Sequence, residues 1–111
     1  MKKTNPRITG LINNLSGKEE KIWKDLALRL SKPGKTVVNV ARIGRYAKKG
    51  ENLIVPGKVL GYGNIGTPVF VGALSFSKEA EEKIKKAGGS CTRIEEVVKE
   101  NPKGKKVRLF G

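Results

Sequence analysis

VFVGALSFSKEAEEKIKKAGG, residues 69–89, reads as a strand followed by a capped helix. Val69–Leu74 is a short apolar run rich in β-branched and aromatic side chains, the pattern of a buried strand. Ser77 then stands where a hydroxyl can accept from the first free N–H groups of a helix, and KEAEEKIKKA supplies that helix. Glu79, Glu81 and Glu82 alternate with Lys78, Lys83, Lys85 and Lys86, so the outer face is expected to be solvated and laced with charge pairs. Gly88-Gly89 ends it.

Outward from this unit, short elements of the same two kinds recur. Upstream, Thr36–Val40 (TVVNV) and Asn52–Val55 (NLIV) are strand candidates. Between them, Ala41–Gly50 (ARIGRYAKKG) reads as a helical turn ending at Gly50, and Val55–Gly66 (VPGKVLGYGNIG) reads as a glycine-rich turn. Downstream come a short strand at Cys91–Ile94, a short helix at Glu95–Glu100 closed by Asn101-Pro102, and a last strand at Val107–Phe110. Toward the start, Asn5-Pro6 is a helix N-terminus, with Ile8, Leu11, Ile12 and Leu15 at helical spacing up to Gly17. A second helix is expected from about Lys18, with Ile22, Trp23, Leu26 and Leu30 on one stripe. Glu19 and Glu20 would lie in its first turn, and Pro33-Gly34 would terminate it. Trp23, on the apolar stripe, is expected to be a core anchor and not a base-stacking platform. The fold class is therefore α/β: residues 35–111 form a compact core domain, and residues 1–34 a helical, basic N-terminal arm.

Charge narrows the function. The chain has 111 residues, 24 Lys plus Arg against 10 Asp plus Glu, and a net charge of +14. Such an excess opposes compaction, and a polyanionic partner explains it: nucleic acid first, an anionic membrane surface second. Residues 1–58 hold fourteen of the cations and only four of the acids. From Ala27 through Gly50 stand Arg29, Lys32, Lys35, Arg42, Arg45, Lys48 and Lys49, with no acid. The stretch up to Lys18, with Lys2, Lys3 and Arg7, is also acid-free. Arg42, Arg45, Tyr46 and Lys49 would lie on or near one face if their segment is helical throughout. Arg forks grip phosphate oxygens in pairs and Lys adds point charge. Tyr46 either stacks on a base or packs beneath the arginines. Lys58, Gly61 and Gly63 sit in the glycine-rich stretch, where main chain can approach a partner or the core closely.

Catalytic equipment is sparse. There is no His, which removes the commonest general base and the commonest metal ligand. Cys91 is the only cysteine and is expected to be a small packed side chain. Gly61–Gly66 (GYGNIG) matches G-x-G-x-x-G in letters, but Thr67-Pro68 and a strand follow where a dinucleotide turn needs a helix N-terminus. Gly34-Lys35-Thr36 resembles the end of a P-loop, yet Arg29 occupies the position of its first glycine. No apolar segment approaches the length of a membrane span or a signal peptide, and a cytoplasmic location is expected.

NVARIGRYAKKGE (Asn39–Glu51), VPGKVLGYG (Val55–Gly63) and VFVGALSFSKEAEEKIKKAGG resemble the archaeal and eukaryotic large-subunit ribosomal protein family called eighteen-e, which is related to the bacterial large-subunit protein numbered fifteen. NPRITGLINNL and the tail ENPKGKKVRLFG extend the resemblance over essentially the whole chain. Asn64-Ile65, where the family has an acid and a leucine, departs from it. The resemblance implies irregular β-β-α turns stacked into a short superhelix. It implies a ribosome-bound component contacting large-subunit ribosomal RNA and neighbouring ribosomal proteins, with no catalysis, no cofactor, no small-molecule substrate and no membrane partner. The residues expected at the RNA are Lys2, Lys3, Arg7, Arg29, Lys32, Lys35, Arg42, Arg45, Tyr46, Lys48, Lys49, Lys58, Gly61 and Gly63. Charge alone leaves a DNA- or RNA-binding regulator outside the ribosome as the alternative.

Overall fold

The computed structural model describes residues 5–32 and 36–110, and the chain folds as two compact units, Met1–Gly34 and Lys35–Gly111. In the first unit, α1 spans Pro6–Ser16. The Asn5 side chain accepts from the Arg7 N–H at 2.9 Å, and Pro6 fills a position whose N–H a helix cannot use. Helix α2 spans Lys21–Ser31 and packs on α1, with Leu11, Leu15, Trp23, Leu26 and Ala27 buried. Trp23 is fully enclosed, as its place on the apolar stripe predicts.

Two expectations here need correcting. Helix α2 begins at Lys21 and its first turn holds no acid; Glu20 is the N-cap, without a side-chain cap bond, and Glu19 precedes it. The intervening chain is taken up by closing α1, where the Lys18 N–H returns to the Leu15 carbonyl at 3.1 Å. At the other end the helix stops before Lys32, which is extended (φ −71°, ψ 144°) as a residue preceding proline is driven to be. Pro33-Gly34 itself lies outside the described residues.

The second unit is α/β. Its strands are β1 Thr36–Asn39, β2 Asn52–Leu60, β3 Phe70–Phe76, β4 Ser90–Arg93 and β5 Val107–Leu109. Its helices are α3 Val40–Tyr46, α4 Lys78–Lys86 and α5 Ile94–Glu100. The strands form one sheet in the order β1-β2-β3-β4, with β5 also on β2, and every described pairing is parallel. Parallel neighbours oblige the chain to return to the same end after each strand, so its path coils. A helix makes the return from β1, β3 and β4, and the 61–69 loop makes it from β2. Val38, Leu53, Val55, Val59, Val71 and Ala73 of the sheet, Val40 and Ile43 of α3, Ala80 and Ile84 of α4, and Phe110 form one apolar core.

Residues 69–89 behave as read. Ser77 Oγ accepts from the Ala80 N–H at 3.1 Å, and the Gly88 and Gly89 N–H groups return to the Lys85 and Ile84 carbonyls at 3.0 Å each. Lys85–Glu81 pair along an exposed face of α4 at 3.8 Å, and Lys83–Glu79 pair at 3.0 Å where α4 meets the chain after β2.

The VPG segment is not a turn. β2 runs through Pro56 and Gly57 to Leu60. The reason is an exchange of neighbours. Along one edge of β2, Asn52–Ile54 pair with β5 and Gly57–Leu60 pair with β1, so Pro56, which has no N–H to donate, falls between the two ladders. On the opposite edge the register to β3 shifts by one residue between Val55 and Lys58, a bulge at the same place. Gly57 is needed because the approach to β1 is so close: a Cβ there would lie 2.0 Å from the Thr36 carbonyl oxygen.

Candidate nucleic-acid interface

Helix α3 has the sequence VARIGRY, and three of its i, i+3 pairs, Val40–Ile43, Ala41–Gly44 and Arg42–Arg45, face three environments. Val40 and Ile43 are fully buried in the core. Ala41 and Gly44 face the 61–66 loop: a Cβ at Gly44 would lie 3.2 Å from Ile65, and the Ala41 N–H donates to the Tyr62 carbonyl at 3.3 Å. Arg42 and Arg45 are left to solvent, with Tyr46 beside them. The Arg42 guanidinium lies 5.7 Å from the centroid of the Phe110 ring, within range of a cation–π contact. Tyr46 is 58% exposed.

The helix ends at Tyr46, not at Gly50, with Ala47 already extended (φ −86°, ψ 148°). Lys48 and Lys49 therefore do not continue its face; they ride the turn that follows. That turn is fixed by backbone bonds from Glu51 N–H to the Lys48 carbonyl (3.0 Å) and from Gly50 N–H to the Pro68 carbonyl (2.7 Å). Glu51, the first acid after the basic window, is drawn inward. Its Oε1 accepts from the Lys48 N–H at 2.9 Å, and its carboxylate meets Arg108 Nη2 at 3.1 Å and Nε at 2.9 Å. Arg108 also donates to the Tyr46 carbonyl at 3.2 Å. Strand β5 thus clasps the end of α3 and the turn together. Among the described residues, Arg42, Arg45, Lys48 and Lys49 make no ion pair, and all four are exposed.

Lys58 is exposed on β2, in register with Val37 and Ser75, which are exposed too. Gly61 and Gly63 are packed within the protein. A Cβ on Gly61 would lie 2.6 Å from Glu79, and one on Gly63 (φ +87°) would lie 2.3 Å from the Ala41 side chain. Their carbonyls accept from Lys83 Nζ at 2.6 and 2.5 Å. The loop then runs into β3, so the glycine pattern meets no helix N-terminus. Arg7 is partly buried, and Arg29 and Lys32 are exposed, in the first unit; Lys2, Lys3 and Lys35 lie outside the described residues. Sequence reading missed Glu51, Tyr62, Lys83 and Arg108. The Glu51–Arg108 pair spans 57 positions, which no local pattern reveals.

Little else invites chemistry. Cys91 is half-buried, and burial, reinforced by Glu81 and opposed by Lys85, pushes its thiol up to about 11, away from the reactive thiolate. Among the described residues no group of three His, Cys, Asp or Glu side chains is placed to hold a metal, and no helix is long and apolar enough to cross a membrane.

Comparison with known proteins now bears on this geometry. Residues 17–92 match the family described as ribosomal proteins 50S-L15, 50S-L18e and 60S-L27A. The chain is 51% identical to the large ribosomal subunit protein eL18 of Archaeoglobus fulgidus, with 99% of each chain covered. It is 50% identical to that of Methanosphaerula palustris and 48% identical to that of Methanoregula boonei, with 99% of this chain and 96% of the relative covered in both. The short α/β core, its parallel coil and its archaeal likenesses together make this chain a member of the ribosomal protein family that unites 50S-L15, 50S-L18e and 60S-L27A.

Proposed function

We propose that this chain is a structural, non-catalytic constituent of the large ribosomal subunit, binding ribosomal RNA through the face formed by α3 and the turn after it. The observation that carries the reading is the charge arrangement there. Among the described residues Arg42, Arg45, Lys48 and Lys49 make no ion pair, while the acid next to them in sequence, Glu51, is engaged by Arg108. Four uncompensated cations on a segment fixed at both ends are suited to phosphate oxygens, which position a protein on RNA without reading its bases. Family membership supports the ribosomal setting.

In this reading Lys58 adds a further exposed cation on β2, while Gly61 and Gly63, packed against α4 and Ala41, shape the loop beside α3. Residues 1–34 act as a separate basic arm, with Lys2, Lys3, Arg7, Arg29 and Lys32, and Lys35 follows it. Neighbouring large-subunit proteins complete the setting in a cytoplasmic ribosome, and neither cofactor nor small-molecule substrate is required.

The test is the salt dependence of binding to large-subunit ribosomal RNA. Each phosphate contact removed lowers the slope of log K against log salt by about 0.7–0.9, so Arg42, Arg45, Lys48 and Lys49 all changed to Ala should lower it by about 3. An unchanged slope removes this face from the interface. Equal affinity for duplex DNA in competition would favour the regulator outside the ribosome.

A further inference from the structure

Tyr62 is 77% exposed, more than any other large apolar or aromatic side chain among the described residues. It does not hang on a loose loop. Three successive carbonyls around it are held: Gly61 and Gly63 by Lys83 Nζ, and Tyr62 itself by the Ala41 N–H. The Lys83 ammonium is at the same time 3.0 Å from Glu79, which accounts for that carboxylate. Close packing of Gly61 on α4 and of Gly63 on Ala41 leaves the backbone no room to shift inward. A ring projecting from main chain this restrained has already lost most of the freedom that binding would otherwise take away.

Resting on the RNA-binding reading above, we infer that Tyr62 is a stacking platform for one unpaired base of the large-subunit ribosomal RNA. Three observations favour a base over a protein side chain. The flanking residues Gly61, Gly63 and Asn64 carry little side-chain bulk from which to build the water-excluding ring that surrounds an aromatic anchor at a protein hot spot. The loop lies on the Ala41–Gly44 face of α3, adjacent to the face that carries Arg42 and Arg45, so phosphates gripped there place their own nucleotides nearby. And between Glu51 and Glu79 the chain has no acid to repel them. The flat ring takes the base, and the arginines take the backbone.

The experiment measures the affinity of the full chain for a large-subunit ribosomal RNA transcript across a salt series. Tyr62→Ala and Tyr62→Leu should bind about five- to a hundred-fold more weakly, the range of one base–aromatic stack, and Tyr62→Phe should stay near the parent. The salt slope should not change, since no charge is lost. Thermal stability should also hold, because the ring is exposed. Lys83 acts as a positioning residue: Lys83→Met should weaken binding in the parent and add little in the Tyr62→Ala background. Parental affinity in Tyr62→Ala, with the slope still lowered in the quadruple alanine variant, overturns the stacking inference alone. Weakened binding in Tyr62→Ala with an unchanged slope in the quadruple variant leaves stacking standing and removes the α3 face. Parental affinity of Tyr62→Ala for bare RNA, combined with poor incorporation into partly assembled subunits, would assign the ring to a protein neighbour and overturn the inference.

Discussion

Glu51→Gln sets two arguments against each other. By charge alone the change should tighten RNA binding, since it deletes an acid beside four cations. A unit charge about 8 Å from a phosphate in water is worth roughly 0.5 kcal/mol, and less after screening, so the gain is below about twofold. By geometry the change should weaken binding. Glu51 holds the Lys48 N–H and the Nε–Nη2 edge of the Arg108 guanidinium; its side chain is 20% exposed and that of Arg108 47%. A two-point pair at that exposure is worth about 1 kcal/mol, and an amide donating to a neutral in place of a charged acceptor forfeits about 0.5–1 kcal/mol more. Unfolding entropy of about 2.1 cal/mol/K per residue over 111 residues is ~0.23 kcal/mol/K, so the melting temperature should fall by about 6–9 °C. The backbone bonds at Gly50 and Glu51 remain, so only part of the freedom of Lys48 and Lys49 is regained, and re-ordering them on RNA should cost about 1 kcal/mol, the equivalent of one fixed residue. Net binding should weaken by about three- to five-fold, with the salt slope no shallower than in the parent. Calorimetric melting and filter binding read both quantities. Tighter binding with an unmoved melting temperature would refute the clasp as the device that shapes this surface.

Two further outcomes follow from packing and titration. Gly57→Ala drives a methyl group into the Thr36 carbonyl and should part β1 from β2, exposing Val38; a loss of about 2–4 kcal/mol is expected in guanidinium titration, and a loss under 0.5 kcal/mol would contradict the close approach. Cys91 should react with iodoacetamide along a pH curve centred near 11, and because the folded thiol holds its proton more tightly than the unfolded one, stability should decline from about pH 9 to 11, an effect absent in Cys91→Ser. A reactivity midpoint at the ordinary value of 9.0 would show that burial does not act on the thiol.

What the sequence disclosed depended on how local the cause was. Ser77, Gly88-Gly89 and Asn5-Pro6 act within a turn of themselves, and each terminus lies where the residue types put it. Pro56-Gly57 read as a turn because proline and glycine normally interrupt strands. Here they mark a switch of partners between strands some twenty residues before and fifty after, which no window contains. Helix α3 was partly legible. Its Arg42–Arg45 pair was visible as a cationic face, but the pairing of Ala41 with Gly44 as a seat for the 61–66 loop becomes meaningful only once the loop is known to return there. Tyr62 was hidden in the glycine pattern around it, and its restraint depends on Lys83, twenty residues away from Gly63.

The partner switch on β2 also governs how the sheet meets other copies of itself. One margin of the sheet is shared by two short pieces, β1 of four residues and β5 of three, and the far margin is the four-residue β4. No border among the described residues offers a long straight row of unused amide groups, and on the near side the two pieces meet across a proline. A stray strand could zip onto either margin for only a few bonds before running out of template. Protection from aggregation is thus built into the main chain itself, leaving the lysines and arginines of the surface available for other work.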